Sequence, residues 1–157
     1  LLAAEDREPL LAWLAAQPFV RCFPDVVLVH AGIHPQWSDP ERALAALGPF
    51  EPQPASDFAT RARYCSAGGE RPPNDWPAPP LPYRPWYEFW EERAGEARTV
   101  VFGHWARLGL VERPRVRGLD TGCVWGQRLT AWIPEEGRIV SVPAERQWAP
   151  FPSPEEA

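Results

Sequence analysis

The chain of 157 residues contains neither methionine nor lysine, and all sixteen of its basic residues are arginine. Position 1 is leucine, so the expectation is a piece of a longer protein or a processed product. A surplus of positive charge is also missing. The formal net charge is −5, which leaves no basic footprint for nucleic acid, and none is expected as a partner. No apolar run approaches the roughly 20 residues needed to span a bilayer. The N-terminus lacks the order of basic, apolar and small residues that marks a secretion signal, so neither membrane contact nor export is expected. The three cysteines, Cys22, Cys65 and Cys123, are widely spaced and form no CxxC pair. That excludes a disulfide framework or a zinc site and suits a reducing, cytoplasmic compartment.

What is present is a folded composition with long loops. Hydrophobic residues make up 45% of the chain, including nine tryptophans, which argues against disorder despite 21 prolines. The length fits one domain. From Asp6 to Gln17, residues Leu10, Leu11, Trp13 and Leu14 fall near helical spacing, with Asp6 placed to cap a helix that packs against the body of the protein. Val26 to Val29 is a short, β-branched run, apolar at every position, as expected of a central strand covered on both faces. It ends in His30, Ala31 and Gly32. Asp39 and Pro40 open a short helix that ends before Gly48. Loop is expected from Gly48 to Tyr83 apart from the stretch Asp57 to Cys65. Seven of the fifteen residues from Arg71 to Pro85 are proline, which favours extended backbone.

A helix is expected from Pro85 to Ala94, with Trp86, Phe89 and Trp90 on one side. Thr99 to Phe102 then repeats the earlier pattern, a short apolar strand ending in Gly103, His104 and Trp105. Gly118 to Asp120, Arg128 to Ile133 and Arg138 to Val142 read as further strands, the last two joined as a hairpin through residues 134–137. The domain is expected to occupy residues 1–142, followed by a loose tail over 143–157.

His30 and His104 carry the chemical argument. Loops leaving the carboxyl ends of neighbouring strands form the ligand crevice of an open α/β sheet, so two histidines at equivalent strand ends can converge there. Neutral imidazole is a common ligand of divalent metals. A histidine at a strand end also serves as a hydrogen-bonded structural residue, and spacing alone leaves both readings open. Asp120, Thr121 and Gly122 read as a turn closed by a side-chain acceptor. His34 reads as an exposed loop residue, and Cys123 reads equally as a small core residue or a reactive thiol.

The segments VLVHAGIHPQW, RARYC, RPW, VFGHWA and GLDTGCVWGQRLTAW occur in this order. They resemble the symmetrical bis(5'-nucleosyl)-tetraphosphatases of the calcineurin-like metallophosphoesterase superfamily. The resemblance implies an α/β fold, a four-layer β-sandwich flanked by helices. It also implies two divalent metal ions, manganese or cobalt, and hydrolysis of a dinucleoside polyphosphate, diadenosine tetraphosphate, to two ADP. His30 and His104 match two metal-ligating histidines, and Arg61 and Arg63 match positions that place an arginine on phosphate. Trp86 lies in a family-like position where a ring could stack an adenine. The family's GDxHG, GDxxDRG and GNHE motifs, which supply its other ligands and its catalytic histidine, do not occur here. The chain is therefore expected to be the C-terminal part of such an enzyme, to contain no catalytic residue of its own and to be inactive alone. A phosphoprotein phosphatase of the same superfamily and a non-catalytic remnant are the alternatives. Nothing in the sequence fixes an oligomeric state.

Overall fold

The computed structural model describes residues 4–151. In chain order the elements are α1 (Arg7–Ala15), β1 (Val20–Cys22), β2 (Val26–Val29), α2 (Pro40–Leu44), α3 (Pro54–Arg61), β3 (Tyr64–Cys65), β4 (Arg84–Pro85), α4 (Trp86–Glu91), β5 (Thr99–Phe102), β6 (Val111–Arg113), β7 (Val116–Gly118), β8 (Arg128–Ile133) and β9 (Arg138–Pro143). Five strands form one mixed sheet in the order β1-β2-β5-β7-β6. The inner pairs β2·β5 and β5·β7 are parallel, and the edge pairs β1·β2 and β6·β7 are antiparallel. Among the described residues no helix is long and apolar enough to cross a membrane.

The core lies on one face of this sheet. Val27, Val29, Val100, Phe102 and Val116 turn toward Phe58 and Ala59 of α3 and toward Trp86, Tyr87 and Trp90 of α4, and all are buried. The α4 rings continue onto the sheet, with Trp86 and Phe102 centroids 5.2 Å apart and Tyr87 stacked on Phe102 at 5.7 Å. Gly118 makes this possible. A β-carbon there would meet Phe102 Cζ at 2.7 Å and Val111 Cβ at 3.0 Å, so the strand next to β5 must be bare at this point for the ring to fit.

Several expectations are corrected. The run Val26 to Val29 is inner in the sheet but covered on one face only, since Leu28 is 37% exposed while Val27 and Val29 are buried. Continuous apolarity reads as two covered faces, yet Leu28 opens into clefts shared with Leu14 of α1 and Leu129 of β8 and is not closed over by either. Helix α1 likewise buries none of its residues: Leu10, Trp13 and Leu14 are exposed, and Asp6 makes no side-chain capping bond. The expected strand from Gly118 to Asp120 ends at Gly118, because the Asp120 carboxylate turns to accept from the Gly122 N–H. Strands β1 and β6, three residues each, were too short to show a period in the sequence.

The tail from Pro143 is not loose as far as Phe151. Ala144 N–H donates to the Gln127 carbonyl at 2.8 Å, and the Trp148 and Ala149 amides both donate to the Val124 carbonyl, at 2.9 and 3.0 Å. Phe151 packs on Trp125 with centroids 4.7 Å apart. Backbone bonds of this kind are invisible to composition, which registered only proline and charge. The rest of that tail, residues 152–157, lies outside the described residues.

Candidate functional site

Strand register delivers both histidines to one place. Val29 lies opposite Phe102 in the parallel β2·β5 pair, and one step further the Gly103 N–H donates to the His30 carbonyl at 3.0 Å. His30 therefore sits level with Gly103, and His104 is one residue beyond. Strict alternation would send the next side chain to the opposite face. His104 instead adopts φ 63°, the one positive φ of a non-glycine residue among those described. Its ring comes to face His30, with centroids 5.2 Å apart and planes tilted by 52°. A left-handed backbone at a residue with a β-carbon costs of order 1 kcal/mol and persists where surroundings over-determine it.

The two rings differ in setting. His30 is exposed, whereas His104 is half-buried and its Nε2 is a buried nitrogen with no hydrogen-bond partner. Burial, aided by the positive charge of Arg63 and by His30, pushes the His104 pKa down to about 4; a hydrogen bond to the Arg61 backbone opposes the shift. His104 is thus a neutral imidazole at pH 7, in the state that can donate a lone pair.

His104 divides two clefts. The first, about 460 Å³, runs along the open face of the sheet and is lined by His30, His104, Leu28, Asp120, Thr121 and Leu129. Its far wall is the β8·β9 ribbon, tied to the turn by the Thr121 hydroxyl, which bonds the Arg128 carbonyl at 2.7 Å and the Thr130 hydroxyl at 2.6 Å. The turn from Asp120 to Gly122 has the expected side-chain acceptor, with Asp120 Oδ1 taking the Gly122 N–H at 3.2 Å.

The second cleft, about 370 Å³, lies on the other side of His104 and is lined by Arg61, Arg63, Arg71, Asn74, Asp75 and His104. Helix α3 ends at Arg61 with Ala62 already extended, and the chain passes through Arg63 into β3, so both arginines leave one helix C-terminus. Asp57 pairs with Arg61 at 3.4 Å and also with Arg71, while Asp75 pairs with Arg63 at 3.3 Å. The structure therefore joins His30 to His104, and Arg61 to Arg63, and sets the two pairs side by side. Arg71, Asp57 and Asp75 were missed in the sequence because only the return of the proline-rich loop onto α3 assembles them.

Trp86 is corrected. It is wholly buried between Phe102 and Tyr87 and its faces are already covered by protein, so no base can stack on it. His34 is half-buried rather than exposed, stacked on Trp37 at 5.4 Å, with Nδ1 accepting from the Gln36 N–H at 3.1 Å. Cys65 is fully buried and its thiol is pushed up to about 12 by that burial, which makes it inert at neutral pH.

Metal fit follows from these donors. Two imidazoles that face each other, one with a free buried nitrogen, can supply two of a divalent ion's ligands. Among the described residues no group of three or more His, Cys, Asp or Glu side chains comes together in a way that could hold a metal ion. The pair fits a partial site and does not complete a coordination shell.

No family model matches the chain. Curated relatives do. It is 36% identical to a symmetrical bis(5'-nucleosyl)-tetraphosphatase of Janthinobacterium sp. (strain Marseille), over 83% of this chain and 60% of the relative. It is 33% identical to the protein of the same name from Aromatoleum aromaticum, over 96% of this chain and 67% of the relative. A solved structure described provisionally as a diadenosine tetraphosphatase superposes with a TM-score of 0.62 at 32% identity, over 85% of this chain and 54% of that one. The mixed sheet with helices on one face and histidines at adjacent parallel strand ends is thus an α/β domain of metallophosphoesterase type. Within that class, the chain belongs to the symmetrical bis(5'-nucleosyl)-tetraphosphatase family. It spans about 60 to 67% of the length of these curated relatives.

Proposed function

We propose that this chain supplies one side of a phosphoric anhydride hydrolase site that cleaves a dinucleoside tetraphosphate symmetrically to two nucleoside diphosphates. The observation that carries this reading is the sharing of His104 between the histidine pair and the arginine cleft. A polyphosphate lying in the cleft has its anionic oxygens against planar guanidinium groups, which suit bidentate contact, and the next phosphorus along the chain beside the two imidazoles. Diadenosine tetraphosphate, which falls in the bis(5'-nucleosyl) tetraphosphate class of the relatives' names, has the length and charge for both.

In this reading His30 and His104 are metal ligands, and Arg61 and Arg63 orient the phosphate chain. A divalent ion such as manganese or cobalt, when bound, would supply polarising positive charge at a phosphoryl oxygen. His104 contributes a neutral, partly desolvated nitrogen, and the Asp120 turn keeps the strand-end loop closed around it. Among the described residues no third donor groups with the two imidazoles, so in this reading the chain binds and orients by itself without turning substrate over.

The test is a pair of measurements on the 157-residue chain. Manganese titration followed by electron paramagnetic resonance is expected to show weak binding that His104→Ala abolishes. Incubation with diadenosine tetraphosphate and manganese is expected to release no ADP. Metal-dependent release of ADP by the chain would overturn the division of labour, and release of AMP with ATP would overturn symmetrical cleavage.

A further inference from the structure

The proline-rich loop brings a carboxylate into the arginine cleft. Asp75 accepts from Arg63 Nη1 through Oδ2 at 3.3 Å, and its Oδ1 is buried with no hydrogen-bond partner. The Asp75 side chain is only 11% exposed. The groups facing it are Arg63, Arg71 and the Tyr64 phenol. Burial raises the Asp75 carboxyl pKa above the usual range, with the two arginines pulling it back. Across the cleft, Arg71 is engaged with Asp57 through Nη1, while its Nε is another buried group without a partner.

This is a poorly compensated ion pair. A carboxylate withdrawn from water needs both oxygens satisfied to recover its solvation. Asp75 has one long contact where a bidentate pair would give two short ones. Arg63 is equally under-used, since its guanidinium makes a single bond to Asp75. The cleft thus holds its positive charge against a ligand that fits it badly.

We propose that Asp75 determines the charge specificity of the arginine cleft: it is a resident counter-ion on Arg63 that an incoming phosphate must displace. The inference rests on the phosphate-binding reading of the cleft given above. Exchange of one singly charged anion for another returns no net Coulombic gain, and the solvation that Asp75 recovers is offset by the solvation that the incoming anion gives up. A pyrophosphate or a longer polyphosphate brings more charge and more oxygens, enough to take Arg63 in a bidentate fashion and to reach the vacant Arg71 Nε as the loop carrying Asp75 moves aside. The cleft therefore admits polyphosphate and rejects an isolated phosphodiester, the group that links nucleotides in nucleic acid.

Calorimetric titration of the full chain with pyrophosphate and with dimethyl phosphate tests this in wild type, Asp75→Asn and Arg63→Gln. Wild type is expected to bind pyrophosphate and to discriminate strongly against dimethyl phosphate. Asp75→Asn is near-isosteric and is expected to strengthen dimethyl phosphate binding and reduce the discrimination ratio by about fivefold or more, since the resident charge is gone. Asp75→Ser replaces it should the asparagine variant fail to fold. An unchanged ratio, or weaker binding of both ligands, would mean that Asp75 merely positions Arg63, and would overturn the inference while leaving phosphate binding intact. Failure of wild type to bind pyrophosphate, or equal binding by Arg63→Gln, would overturn the phosphate-binding reading itself and this inference with it.

Discussion

His34 Nε2 lies directly over Gly69, in the space that a β-carbon on that glycine would occupy. The contact joins the HPQW segment to the turn from Ser66 to Glu70, and Gln36 Nε2 strengthens it by donating to the Ala67 carbonyl at 2.8 Å. This turn leads straight into Arg71, so the contact anchors one side of the arginine cleft.

Gly69→Ala is expected to destabilise the chain by roughly 2 kcal/mol or more, from a φ of 87° that alanine tolerates poorly and from the collision with His34. Combining it with His34→Ala removes the collision but not the backbone strain. Urea unfolding of the two single variants and the double variant separates these contributions, and the double variant should recover part of the loss. Simple additivity of the two single effects would show that the contact is not what excludes a side chain at position 69.

The same histidine makes stability depend on pH. Burial, with help from Arg93, lowers the His34 pKa below 6.5 in the folded chain. The unfolded chain then binds the proton first as pH falls, so the contribution of neutral His34 is complete above about pH 6.5 and declines toward the depressed folded value. Thermal melts between pH 7.5 and 5 in a chelating buffer should show a shallower decline for His34→Gln than for wild type. Parallel curves would rule out His34 as a source of the slope.

The arginines are not equivalent. Arg61 has 71% of its side chain exposed and Arg63 has 27%, so solvent screens the former far more. Arg63→Ala should weaken pyrophosphate binding about tenfold, the loss expected for a hydrogen bond to a charged group, and Arg61→Ala should weaken it less than about threefold. The reverse order, read by calorimetry, would place the anion at the mouth of the cleft.

Trp86→Ala should cost about 3 to 5 kcal/mol of stability, as expected for emptying a fully enclosed aromatic site. Chemical denaturation measures this. Trp86→Phe, which keeps most of the packing, should leave the relative affinity for diadenosine tetraphosphate and pyrophosphate unchanged; a selective loss of the dinucleotide would restore the stacking role.

The strand ends were readable in sequence because two short β-branched runs, each followed by a histidine with a glycine within two residues, are a local pattern. The hairpin of β8 and β9 was readable for the same reason. His104's backbone angle, the charge pairs of Asp57 and Asp75, and the docking of residues 144–151 depend on segments that meet only after folding, and no local period encodes them. Trp86 shows the opposite error. Its motif position suggested a ligand contact, while its burial depends on Phe102, which arrives from β5, as well as on its own neighbour Tyr87.

Delivery of the two histidines by neighbouring parallel strands has a consequence for how the sequence can vary. Their separation is fixed by hydrogen-bond register, which changes only in whole-residue steps of about 3.3 Å. Residues can be gained or lost in the loops between β2 and β5 without altering the distance between the rings, whereas a single deletion inside either strand would move one imidazole a full step and turn it to the opposite face. Insertions and deletions should therefore accumulate in the intervening loops and be purged from two tetrapeptides.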